Sequence, residues 1–116
     1  MGARFNHGSA KLTAKYTPGT ATPAGTIVVQ GGLVGVADHD IAANETDSIV
    51  VSGAVYVFDK AAGGSTAIAA GAPVYVDESA QLGTGDDDSG SNKQAGIAES
   101  AAGDSDTTVR VILGQK

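Results

Sequence analysis

At 116 residues the chain has room for one domain, and with no cysteine it can carry neither a disulfide framework nor a thiolate metal site. Its net charge of −6 argues against a nucleic-acid partner, because an acidic body repels phosphate. Only 4% of residues are aromatic, while glycine contributes 17, so bulky core side chains are scarce and burial against other subunits is the expected remedy.

Residues 1–25 read as an extended N-terminal arm. Pro18 and Pro23 forbid a helix there, and "TPGTATPAG" is turn chemistry. The opening "MGARFNHGSAK" lacks the apolar stretch of a secretory signal, and no apolar run in the chain approaches the ~20 residues that cross a bilayer, so a cytoplasmic product with no membrane partner is expected. Arg4, Lys11 and Lys15 are the only charges before Asp38, which gives the arm a basic character against an acidic body.

Residues 26–116 read as a single β domain. "TIVVQ" (26–30) and "LVGVA" (33–37) flank a Gly-Gly turn and predict a hairpin. "SIVVSGAVYVFD" (48–59) predicts two strands bent or bulged at Gly53, with Val55 and Val57 on one face and Tyr56 and Phe58 on the other. Residues 60–72 read as a loop with room for one helical turn. "PVYVD" (73–77) is a strand whose Pro73 stands first, where a missing N–H does least harm. "LGTGDDDSGSNK" reads as a loop, acidic over 83–93, and "QAGIA" (94–98) and "TTVRVIL" (107–113) complete the strands. No segment keeps a 3.6-residue apolar period over two turns. The fold class is all-β: a small single-domain sandwich or partly closed barrel with an extended N-terminal arm.

The chain also echoes itself. "TATPAGTIVV" (20–29) aligns with "TAIAAGAPVY" (66–75), "GVA" (35–37) with "GIA" (96–98), and "AANETDS" (42–48) with "AAGDSDT" (101–107). Gly25, Gly71 and Gly103 are expected to take positive φ at shared turns, with Asn44 the next best residue for that task. The second half is longer between its strands, and the acidic stretch falls where a hairpin loop would be lengthened.

No catalytic centre is legible, and the expectation is a protein that is not an enzyme and holds no cofactor. Counted from Asp86, the aspartate run places Gly90 fifth and Ile97 twelfth, which fails the calcium-loop pattern. No Gly-Lys pair exists for a phosphate loop, and His7 and His39 lack zinc spacing. Nucleophilic catalysis has no recognisable motif. Arg110, alone in an apolar strand, either sits at a sheet edge, pairs with a carboxylate such as Glu99 or Asp59 across an interface, or faces solvent from an open sheet.

The order and spacing of Ala24-Gly25, Gly32-Leu33-Val34-Gly35-Val36-Ala37, Ile41-Ala42-Ala43, Ala70-Gly71, Gly96-Ile97-Ala98 and Thr108-Val109-Arg110-Val111 resemble a family of small phage proteins. These often carry the label of predicted RecA/RadA family recombinases and are better understood as capsid decoration, or cement, proteins. The resemblance runs from about Arg4 to Leu113; the acidic insert at 83–92 and Asn44, where glycine is expected, depart from it. It implies a structural virion protein, made in the host cytoplasm, that binds the outside of a phage head and bridges capsomers. Its partners would be the major capsid protein and further copies of itself, as a homotrimer. The expected contact residues are Arg4, Phe5, Lys11, Lys15, Tyr16 and Arg110. A tail or head-fibre component and a small ligand-binding β module are the alternatives.

Overall fold

The computed structural model of the chain describes residues 12–114. Nine strands, β1 (Leu12–Tyr16), β2 (Ile27–Gln30), β3 (Leu33–Val36), β4 (Asp47–Ser52), β5 (Val55–Asp59), β6 (Pro73–Asp77), β7 (Leu82–Thr84), β8 (Lys93–Ala98) and β9 (Thr108–Leu113), are joined by turns and one short 3₁₀ segment, Asp88–Gly90. They form two antiparallel sheets, ordered β1-β4-β3-β2 and β5-β9-β8-β6-β7. An isolated bridge between Lys60 and Gly83 draws the edges of the second sheet together without closing it into a barrel.

The strand orders make the internal echo structural. β1, β4, β3 and β2 of the first half occupy the places of β5, β9, β8 and β6 in the second. The linking turns repeat bond for bond. Thr22 and Ile41 exchange two backbone hydrogen bonds, both 2.8 Å, as do Ile68 and Ala102, both 2.8 Å. The Gly25 N–H donates to the Ala37 carbonyl at 2.6 Å and the Gly71 N–H to that of Ala98 at 2.8 Å. Both glycines sit at positive φ, +90° and +79°, a conformation that a side chain makes costly. Asn44 takes φ +64° as expected; Gly103 does not join them, because its N–H is held by the Asp106 carboxylate in a different turn.

The β2–β3 hairpin forms as read, with Gly31 at φ +60° in a two-residue loop. Gly53, at φ +84°, is the point at which the chain passes from β4 in one sheet to β5 in the other, so β4 and β5 are not one bent pair. Two strands lie outside the sequence reading. β1 falls in the stretch expected as an arm: it is extended, but it is paired along β4 from Leu12↔Ser52 to Tyr16↔Asp47. β7 falls in the stretch read as loop and pairs with β6 from Tyr75↔Thr84 to Asp77↔Leu82. β7 and the acidic turn are the insertion in the second half, and they stand where the first half has only Gly31-Gly32.

Two apolar clusters follow from this arrangement. The inner face of the first sheet buries Val28, Ala37, Ile49 and Val51 under Ile41, with Ala14 and Tyr16 packed against them. Its outer face, Ile27, Val34, Val36 and Val50, is buried by the second half in a larger cluster with Phe58, Ile68, Val74, Val76, Val109, Val111 and Leu113. Burying each large aliphatic side chain is worth about 2 kcal/mol, so covering the outer face of the first sheet is a major part of what holds the halves together. The β2 edge is also clamped. The Ile27 N–H donates to Gln81 Oε1 at 2.7 Å, Gln81 Nε2 donates to the Ile27 carbonyl at 2.9 Å, and the Val29 N–H donates to Glu78 Oε2 at 3.1 Å. Side chains from the β6–β7 turn thus satisfy an edge that would otherwise be free to pair with another chain.

Candidate interaction surface

The second sheet has the same two faces, and among the described residues only one of them is covered. Register places Val55 opposite Ile112, Ile112 opposite Ile97, and Ile97 opposite Pro73, in one row across four strands. The equivalent row of the first sheet is Thr13, Val50, Val36 and Ile27. Val50, Val36 and Ile27 are 1–5% exposed. In the second sheet Val55 is 41% exposed, Pro73 is exposed, and Ile97 and Ile112 are half-buried. Val57, 57% exposed, extends the patch along β5. Tyr56 and Phe58 point inward because their larger area gains more from burial, and strand alternation then turns Val55 and Val57 outward.

Arg110 stands beside Val57 on this face. It lies on β9, an interior strand, so the edge expectation is corrected. Its Nε donates to Glu99 Oε1 within the chain, and that carboxylate raises the guanidinium's pKa. The apolar face therefore carries one ion pair whose charges already balance. Among the other expected contact residues, Lys15 is exposed on β1 and Tyr16 is half-buried against the first cluster. Arg4, Phe5 and Lys11 lie outside the described residues.

Among the described residues three polar groupings could hold chemistry, and each is internally engaged. Lys60, 4% exposed, closes the turns at the far end of the second half. Its Nζ reaches the carbonyl oxygens of Ala61 (2.9 Å), Gly103 (3.1 Å) and Asp106 (3.1 Å) and the Thr66 hydroxyl (3.1 Å). An ammonium has three protons, so this cage of four acceptors saturates it. The acidic turn is organised by its own backbone: the Asp88 N–H donates to the Asp86 carboxylate at 3.0 Å, and Asn92 Nδ2 donates to the Asp86 carbonyl at 3.0 Å. A cleft of about 280 Å³ separates this turn from Lys60. Among the described residues no group of three His, Cys, Asp or Glu side chains converges as metal ligands do. His39 clasps its loop, with Nδ1 2.7 Å from Asp38 and Nε2 2.8 Å from Asp47. Asp47, then Asp38, hold its pKa above the ordinary imidazole value, while His39 holds that of Asp47 below the usual carboxylate value.

The sequence reading singled out none of Val55, Val57, Ile97 and Ile112 as a contact surface. The signal was present in "AVYVF", where two aromatics facing inward commit two valines to the outside. That no described residue covers them is a tertiary fact.

A family model described as phage cement protein matches residues 5–113. No curated protein and no solved structure matches the chain.

Proposed function

The chain belongs to the phage cement protein family, and from that premise we propose that it binds the outer surface of a phage head and stabilises it by bridging capsomers. Membership makes it a structural, capsid-associated virion protein; the exterior location and the bridging are our reading. The partners we propose are the major capsid protein and further copies of this chain, as a homotrimer assembled after synthesis in the host cytoplasm. The mechanism is shared burial with no catalytic step: a body with a thin core gains stability from surfaces that cover its apolar face.

The observation that carries the reading is the family match across nearly the whole chain. The exposed Val55–Val57 face, with Ile97 and Ile112, supports it, since an uncovered apolar sheet face marks an interaction site. We assign Arg4, Phe5, Lys11, Lys15, Tyr16 and Arg110 to contacts with the shell or a neighbour. The basic segment ahead of Asp38 suits an acidic capsid surface.

The test is decoration of purified expanded heads by the recombinant protein. Saturation near the copy number of the major capsid protein, and heads more resistant to heat, are expected. Copies confined to the tail or to a few head positions would overturn the reading. Removal of residues 1–11, which leaves β1 in place, should weaken head binding. Removal of 1–19 would strip β1 from β4 and unfold the first half, so it does not isolate the arm.

A further inference from the structure

Resting on the head-binding role proposed above, we propose that the outer face of the second sheet is the surface this chain lays on the shell, against a shell-protein patch that is apolar at its centre and ringed by lysine and arginine. The centre follows from the strands. Val55, Ile112, Ile97 and Pro73 form one row across β5, β9, β8 and β6, and Val57 lies beside it. Arg110 and Glu99, on the same face, are bonded to each other, so covering them leaves neither charge without a partner. The rim has one sign. Alternation puts Asp59 on the same side of β5 as Val55 and Val57, and Asp77 on the same side of β6 as Pro73 and Tyr75. Asp77 accepts only from the Ser79 hydroxyl and the Ala80 N–H, both neutral, and it shares a cleft with Asp86 and Asp88 of the acidic turn. Among the described residues neither Asp59 nor Asp77 has a cation for a partner. An apolar centre inside a charged rim is the ordinary anatomy of a protein interface.

The rim selects the occupant, because it calls for cations. The described residues of a second copy have few to give. Lys60 is buried in its cage, Arg110 is held by Glu99, and Lys93 is tied to the acidic turn, its Nζ donating to the Gly90 carbonyl at 3.0 Å. That leaves Lys15, and two chains of net charge −6 repel on approach. Residues 1–11 are basic, but Met1 and Phe5 are their only bulky apolar side chains, too few to cover a row four strands wide. A separate protein fits better, and membership of the cement family supplies one in the phage capsid. The shell region opposite this face then carries the opposite sign to the region that suits the basic segment ahead of Asp38. Two contacts of opposite polarity fix the orientation of the chain on the head.

The test uses the absence of native cysteine. A benzophenone maleimide is attached to Val55→Cys, to Val57→Cys as a second site, and to Ser91→Cys in the acidic turn as a control. Purified expanded heads are decorated with each full-length variant and irradiated, and the products are identified by mass spectrometry. The expected product joins the Val55→Cys or Val57→Cys variant to the shell protein, at several times the yield from Ser91→Cys. Asp59→Lys, an exposed change, should melt with the wild type and raise the Kd for heads about tenfold, because it reverses one charge of the rim. Cross-links to a second copy or to residues 1–11 in place of the shell protein would overturn the proposal, as would a shell yield no higher than the control. Unchanged head affinity of Asp59→Lys would overturn it too, since the acidic rim is what selects a basic-ringed partner. Wild-type protein that fails to decorate heads at all would sink the cement reading as well. Decoration with the cross-links elsewhere sinks the docking face alone, so the two failures are distinguishable.

Discussion

The two halves share strand order, turn hydrogen bonds and pairing register, yet they differ in what surrounds them. The first half has a two-glycine hairpin, a sheet buried on both faces and a linker held by the exposed Thr17–Thr46 hydroxyl pair, 2.7 Å apart. The second has an inserted strand, an outer face open to solvent, and a linker held by the buried Lys60. One repeat is thus finished by its neighbour in the same chain, and the other keeps one apolar face uncovered among the described residues. Equivalent positions in equivalent folds should therefore answer substitution differently.

The largest contrast is expected at Gly35 and Gly96. A Cβ at Gly96 would overlap the Ile112 carbonyl oxygen, a backbone atom that cannot move without opening the β8–β9 ladder. Gly96→Ala should cost about 4 kcal/mol or prevent folding. A Cβ at Gly35 meets chiefly the end of the Ile49 side chain, at 2.7 Å, and Gly35→Ala should cost about 1–3 kcal/mol as that side chain rotates. Chemical denaturation of the two variants checks the order, and equal losses would break the comparison.

Next comes the linker. Lys60→Met keeps the stem's bulk but deprives three backbone carbonyls of their donor, for an expected loss of about 2–3 kcal/mol. Thr17→Ala, on the exposed linker of the first half, should cost about 0.5 kcal/mol or less. Thermal melts of the pair measure the difference directly.

The smallest effect belongs to the His39 clasp, which only the first half has. Its raised pKa means that the stabilisation is fully present below the ordinary value of 6.5 and is lost as pH rises through the folded-state value. The lowered pKa of Asp47 places the other limit on the acid side: its contribution is present above 3.8 and is lost as pH falls through the depressed value. His39→Gln should thus melt below the wild type at mildly acidic pH, and the gap should narrow as the solution becomes alkaline. A gap that grew with pH would refute the clasp.

Much of this molecule was legible before any coordinates. The Gly31-Gly32 turn, the β-branched runs on either side of it and Pro73 at the head of β6 each signal their structure within a few residues. So did the repeat, because positive φ at Gly25 and Gly71 demands the same residue in both halves. β1 was not legible: "LTAKY" follows a basic, glycine-containing stretch and precedes two prolines, and only the neighbouring β4 makes it a strand. β7 was hidden in the same way, as three residues running into an aspartate-rich turn. Lys60 gave no sign of burial, since the four oxygens around it come from turns spread over residues 61–106. Arg110 was rightly marked as unusual, but its partner Glu99 lies on the extension of the adjoining strand, which makes the pair internal.

The amino-acid sequence alone determined the all-β class, the strand and turn chemistry and the doubling of one unit, because alternation, branching at Cβ and tolerance of positive φ act over a handful of residues. Only the tertiary structure decided which of two matching sheet faces is covered. That choice depends on the order in which strands from distant parts of the chain lie side by side, and on a β6–β7 turn that reaches across to clamp β2.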